Sequence, residues 1–162
     1  MKFIEKYEKF ESRLLNWMAV HGIVLLRISI GIIFFWFGFQ KFFPGISSAE
    51  DIATRTIDVM SFGIVQAPFS MPILATWETL IGIGFIFGKY LRATIILLYL
   101  QMAGTLFPLF VFPEETFYLA PFIPTIEGQY IIKNFIIITA AMVILAHNQG
   151  KIISKDKSVR EQ

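Results

Sequence analysis

The chain has 162 residues, enough for one compact domain but short for two. Hydrophobic residues make up 56% and charged residues only 16%, where a soluble domain carries about 25% charged, so a lipid bilayer is the expected solvent. The 14 basic and 12 acidic residues leave a formal charge of +2, which gives no reason to expect a nucleic-acid partner, and the absence of cysteine excludes disulfides, thiolate metal sites, cysteine nucleophiles and CxxC redox chemistry within the chain.

The N-terminal arm, MKFIEKYEKFESRLLNWMAV, has mixed charge and a helical pattern. It lacks the basic start, short apolar run and small-residue cleavage site of a secretory signal, so the first hydrophobic segment is expected to be retained. Phe3, Tyr7, Phe10, Leu14 and Trp17 recur at helical spacing, which predicts an interfacial helix on the membrane surface. A spanning helix needs about 20 mostly apolar residues. Four segments qualify, at about 22–43, 70–88, 91–112 and 129–147. Only a tight turn around Lys89 and Arg92 separates the second from the third, which makes them antiparallel neighbours.

Between the first two spans, Ser48 and Asp51 read as a start resembling a capping box, and Asp51 and Arg55 are spaced as a supporting pair. An amphipathic helix over about 48–64 follows, lying on the outer surface or capping the bundle. The stretch FPEETFYLAPFIPTIEG, with Pro113, Pro121 and Pro124, predicts an irregular aromatic loop. Pro108 is expected to kink the outer end of the third span. The predicted fold is therefore an all-α, four-helix transmembrane bundle with short interfacial helices. Lysines and arginines concentrate in the N-terminal arm, the tight turn and the tail (Lys151, Lys155, Lys157, Arg160), whereas the other connections are acidic. That asymmetry predicts both termini in the cytoplasm.

The charges inside these spans are the candidate site. Glu78 lies about ten residues into the second span, hence roughly 15 Å deep, and Gln101 in the third lies at nearly the same level. Arg27 and Lys133 lie closer to opposite faces and bracket Glu78, so pairing of Glu78 with either is expected. Burying an unpaired charge at mid-bilayer costs about 2.5–3.5 kcal/mol on insertion scales, so such residues pair and often mark function. Arg27, Gly31, Phe34, Gly38 and Lys41 form one stripe of the first span, and its small residues, like Gly82 on the second, allow close helix approach. That stripe should face protein. The aromatic run Phe34, Phe35, Trp36, Phe37 and Phe39 either faces lipid or boxes a planar ligand.

Arg27, Glu78, Gln101, Lys133, Lys41 and Trp36 are thus candidates for a ligand site or an intramembrane ion pair. No catalytic set emerges. His21 and His147 share one rim, but no carboxylate or thiol is placed to complete a metal site with them.

Three stretches resemble DoxX-like membrane proteins. LLRISIGIIFFWFGFQKFFP (25–44) is similar to their first span, with an arginine, a glycine and an aromatic run closing in G-x-x-K-F. WETLIGIGFIFG (77–88) is similar to their second, and EGQYIIKNFIIITAAMVILA (127–146) to their last. The YkgB-type branch, small inner-membrane proteins linked to reactive chlorine resistance, resembles the chain most, although the first outer loop is shorter and lacks the Ser-Pro that usually enters span two. The resemblance implies a multi-pass protein of the bacterial inner membrane. It also implies that Arg27, Lys41, Glu78 and Lys133 occupy the family's polar positions, without making any of them catalytic.

Three functions follow as expectations. The first is a non-catalytic membrane component of a redox or oxidant-stress system, acting with the lipid bilayer and a soluble or membrane redox partner, or as a homo-oligomer. The second is a quinone-linked oxidoreductase subunit binding a hydrophobic ligand near Glu78. The third is a small transporter, for which four helices without repeats are a thin scaffold.

Overall fold

A computed structural model describes residues 2–47 and 49–151. The predicted Ser48 cap and the tail bases Lys155, Lys157 and Arg160 lie outside these residues. In chain order the elements are α1 (Lys2–Gln40), α2 (Glu50–Met60), α3 (Ser70–Phe87), α4 (Leu91–Leu106), α5 (Pro108–Val111), α6 (Pro113–Thr116), β1 (Phe117–Leu119), β2 (Ile123–Pro124), α7 (Ile126–Ile132) and α8 (Asn134–Asn148). Four helical stretches are long and apolar enough to cross a membrane: α1, α3, α4 with α5, and α7 with α8. This is the four-helix membrane architecture expected from composition, built as an up-and-down bundle.

The N-terminal arm differs from expectation. It is no separate interfacial helix but the first half of α1, which runs unbroken for 39 residues, about 58 Å. No proline or other breaker interrupts the chain there, and Gly22, with open space around its Cα, does not bend it. The helix α2 is shorter than expected; Ala49 precedes it and supplies no side-chain cap.

The bundle is organised by α1 against α3. A Cβ placed on Gly31 would lie 2.8 Å from the backbone nitrogen of Ile86, and one on Gly38 would lie 2.8 Å from that of Thr79. As α1 rises through 31 and 38, its contacts on α3 descend from 86 to 78, so the two helices are antiparallel and in near-backbone contact. The third span follows α3 through a turn capped by Gly88, whose φ of 68° is the left-handed conformation that favours glycine. Trp77 Nε1 then donates to the Leu97 carbonyl at 3.1 Å, bridging α3 and α4.

Ile30, Phe34, Ile81, Phe85, Ile95, Leu98 and Ile144 form the buried core between the helices. Large apolar residues also cover the outside, among them Ile32, Ile33, Leu80, Ile96 and Met142. An apolar exterior is what a lipid-facing surface requires.

Two spans are interrupted. Phe107 separates α4 from α5, because Pro108 supplies no N–H to continue the ladder. Lys133 separates α7 from α8. Where an irregular loop is predicted, the chain forms the single turn α6 and a two-stranded antiparallel hairpin pairing Phe117 with Pro124. Thr125 ties the hairpin down: its hydroxyl donates to the Glu115 carbonyl at 2.6 Å and accepts from the Gly128 amide at 3.2 Å.

Candidate functional site: a buried Lys–Glu–Gln cluster

Glu78 sits near the middle of α3, between Ala75 and Gly82 on the face turned to α1 and α4, and is 9% exposed. Its Oε2 pairs with Lys41 Nζ at 2.6 Å, and its Oε1 accepts from Gln101 Nε2 at 2.9 Å. Lys41 also reaches the Phe37 carbonyl at 3.4 Å. Three elements thus meet at one carboxylate. α3 brings the acid, the turn closing α1 brings the base, and α4 brings the amide.

Gly38 makes this meeting possible. A Cβ there would lie 2.8 Å from the Cβ of Glu78, so only glycine lets α1 come close enough for Lys41 to fold back onto the carboxylate. The ion pair is almost dry, with side-chain exposures of 11% for Lys41 and 12% for Glu78. Desolvating two charges costs several kcal/mol per ion, which the pair recovers only when its geometry is good and the remaining lone pairs are occupied. Gln101 supplies one further donor, to the oxygen that Lys41 does not bond.

The pairing differs from the one expected from depth alone. Neither Arg27 nor Lys133 reaches Glu78. Arg27 lies level with the end of α3, where its Nη1 donates to the carbonyls of Phe85 and Ile86, the latter at 3.1 Å. These are carbonyls of the last helical turn, which have no intrahelical partner. Seven to eight residues of α3, roughly 10–12 Å, separate that level from Glu78. Lys133 lies at the break between α7 and α8, exposed, with its Nζ 5.0 Å from the centroid of the Tyr130 ring. Trp36 is 63% exposed and turned away from the cluster. Of the six candidates, the structure brings together Lys41, Glu78 and Gln101 and leaves Arg27, Lys133 and Trp36 apart.

A second charged cluster closes the opposite end of the bundle from Arg27. Arg55 of α2 donates through Nη1 and Nη2 to the two carboxylate oxygens of Glu115, at 2.6 and 2.5 Å, and through Nη2 meets Asp51 at 2.8 Å. Its guanidinium carbon lies 5.0 Å from the centroid of the Phe112 ring. The hydrogen bonds from Arg55 hold the Glu115 carboxyl below the usual carboxylate range, and those to Glu115 push the Arg55 guanidinium up. Spacing alone reveals the Asp51 contact; Glu115 is sixty residues away, and the one signal for it was the lone base among the acids of that side.

Two concave regions among the described residues bear on the site. An apolar groove of about 410 Å³ runs between α3 and α4 along Ile73, Thr76, Trp77 and Leu97. A cleft of about 230 Å³ opens where α1, the α3–α4 turn and α8 meet, lined by Arg27, Gly88, Leu91, His147 and Asn148 among others. Glu78 lines neither.

The DoxX family model matches residues 22–112, more than half of the chain. The chain belongs to the DoxX family. All three members of this DoxX protein's buried cluster fall within the matched region, as does Arg27, whereas Lys133 lies beyond it. Comparison with curated proteins and with solved structures yields no match.

Proposed function

We propose that this DoxX protein is a non-catalytic membrane component of a redox or oxidant-stress system, one that provides a fixed four-span platform and acts through a partner. One observation carries the reading: both oxygens of Glu78 are occupied by Lys41 and Gln101. A carboxylate poised for proton exchange with a ligand needs a free lone pair facing that ligand. Here each oxygen is bonded to a neighbouring element, and the carboxylate is buried and lines neither cavity, so the cluster acts as a lock joining α1, α3 and α4. The redox assignment rests on family membership and on the resemblance to the YkgB-type branch, which also supports placement in a bacterial inner membrane. The bases Lys89 and Arg92 of the α3–α4 turn support a cytoplasmic position for that end.

The test is Glu78→Gln, purified from membranes and compared with the unaltered protein for bound quinone by lipid extraction and for thermal unfolding in detergent. The lock reading expects a lowered unfolding temperature and no change in extracted quinone. Full thermal stability together with loss of a quinone that the unaltered protein retains would replace it with a quinone-linked oxidoreductase subunit.

A further inference from the structure

The cleft beside Arg27 has no part in the lock and has features that the lock does not explain. Arg27 is half-buried and spends only Nη1 on the carbonyls of Phe85 and Ile86. A guanidinium carries five N–H donors, and among the described residues Nη2 and Nε of Arg27 find no acceptor. The cleft wall beside it is apolar, from Ile23, Val24, Leu91 and Ile144, and its mouth is polar, from His147 and Asn148. Gly88 fixes the arrangement, since a side chain there would collide with the Arg27 guanidinium.

Among the described residues the surroundings carry one sign of charge. Lys89, Arg92 and Lys151 lie on the same end of the bundle, and Arg92 is held toward α8 by its bond to Gln149. Among the described residues the nearest acid along α1 is Glu11, sixteen residues from Arg27 and roughly 24 Å away. Glu78 lies seven to eight residues along α3 from the carbonyls that Arg27 bonds, roughly 10–12 Å, and is already paired. A concave site with a half-free guanidinium and no counter-charge among the described residues selects anions, and planar bidentate donors suit phosphoryl oxygens in particular.

We propose that this cleft is a binding site for a phosphate-bearing anion, with its phosphoryl oxygens on Nη2 and Nε of Arg27 and its edge against His147 and Asn148. The level at which the apolar part of α1 begins is where lipid phosphates lie, and the apolar wall would take the start of an acyl chain. The same chemistry serves a soluble phosphate.

The test is native mass spectrometry of the detergent-purified protein titrated separately with phosphatidylglycerol, with diacylglycerol bearing the same chains, and with inorganic phosphate. Arg27→Gln and His147→Glu are the variants, and Lys133→Gln, at the far end, is the control. Losing the charge-assisted guanidinium contact in Arg27→Gln, or placing a carboxylate against the anion in His147→Glu, should weaken retention roughly tenfold or more, with the control unchanged. Variant-sensitive binding of phosphatidylglycerol but not of inorganic phosphate identifies the source as a lipid headgroup; variant-sensitive binding of inorganic phosphate identifies a soluble anion. Because Arg27 also caps α3, Arg27→Gln is read only if it unfolds at the temperature of the unaltered protein, and His147→Glu, at an exposed position, decides otherwise. Equal retention of phosphatidylglycerol and diacylglycerol without variant-sensitive binding of inorganic phosphate, or retention that His147→Glu leaves unchanged, overturns the proposal.

Discussion

At the scale of single residues, the Lys41–Glu78 pair separates two costs that are often merged. Removing one partner leaves a charge in a nearly dry site, whereas removing both leaves only a packing change. Lys41→Met should therefore destabilise the fold by about 3–5 kcal/mol, and Lys41→Met combined with Glu78→Met should recover most of that loss. Thermal unfolding in detergent of the two single variants and the double variant measures the coupling; additive losses would mean that the pair contributes nothing specific. Glu78 and Gln101 were legible from the sequence, because both lie inside helices whose depth can be counted. Lys41 was visible as a member of the inward stripe, but not as the partner. Choosing it required knowing how far α1 slides along α3, and that is decided by backbone contacts at Gly31, Gly38 and Gly82 that residue counting does not contain.

At the scale of elements, the contact between α1 and α3 rests on absent side chains. A Cβ on Gly38 would meet backbone atoms of α3 that cannot move aside, so Gly38→Ala should cost about 1–3 kcal/mol by overpacking. Gly22, on the same helix, has nothing within 4 Å, and Gly22→Ala should be neutral or stabilise the helix by up to about 1 kcal/mol. Unfolding of the two variants side by side tests whether position, and not helix propensity, decides the sign. The Arg55–Glu115 clamp behaves differently because its side chains are partly exposed. Glu115 is held below the ordinary carboxylate range by hydrogen bonds from Arg55. Its ionised form is thus the one favoured by folding, and the contribution is complete above the ordinary glutamate range and lost as pH falls through the lowered value. Protection of α2 amides from hydrogen exchange, relative to the intrinsic rate at each pH, should fall on acidification across that window, and Arg55→Gln should abolish the Glu115-dependent part of the change. Local patterns account for α2 itself, since its apolar positions recur at helical spacing. They do not account for its anchor, because Arg55 and Glu115 are adjacent only once α4 and α5 have returned the chain to the same end.

At the scale of the whole molecule, the four spans were readable because a bilayer demands length and apolarity, two properties that composition reports directly. The unbroken α1 was not, because a charged arm and an apolar span differ in solvent preference while their backbone can be one helix. That continuity bears on orientation. The α1 bases Lys6, Lys9 and Arg13 lie at the same end of the bundle as Lys89 and Arg92, so the basic residues described at that end act together in setting which side it occupies. The acidic connections holding Glu50, Asp58 and Glu114 lie at the other end. Since the chain contains no cysteine, one introduced cysteine reports its own side of the membrane without a background. In intact cells a membrane-impermeant maleimide should label Phe62→Cys, 94% exposed beyond α2, and should reach Lys89→Cys only after the membrane is opened. The reverse pattern would place the basic end outside. Equal labelling of both before permeabilisation would show that the two connections do not lie on opposite sides, and an odd number of crossings between them, here the single helix α3, could not then be maintained.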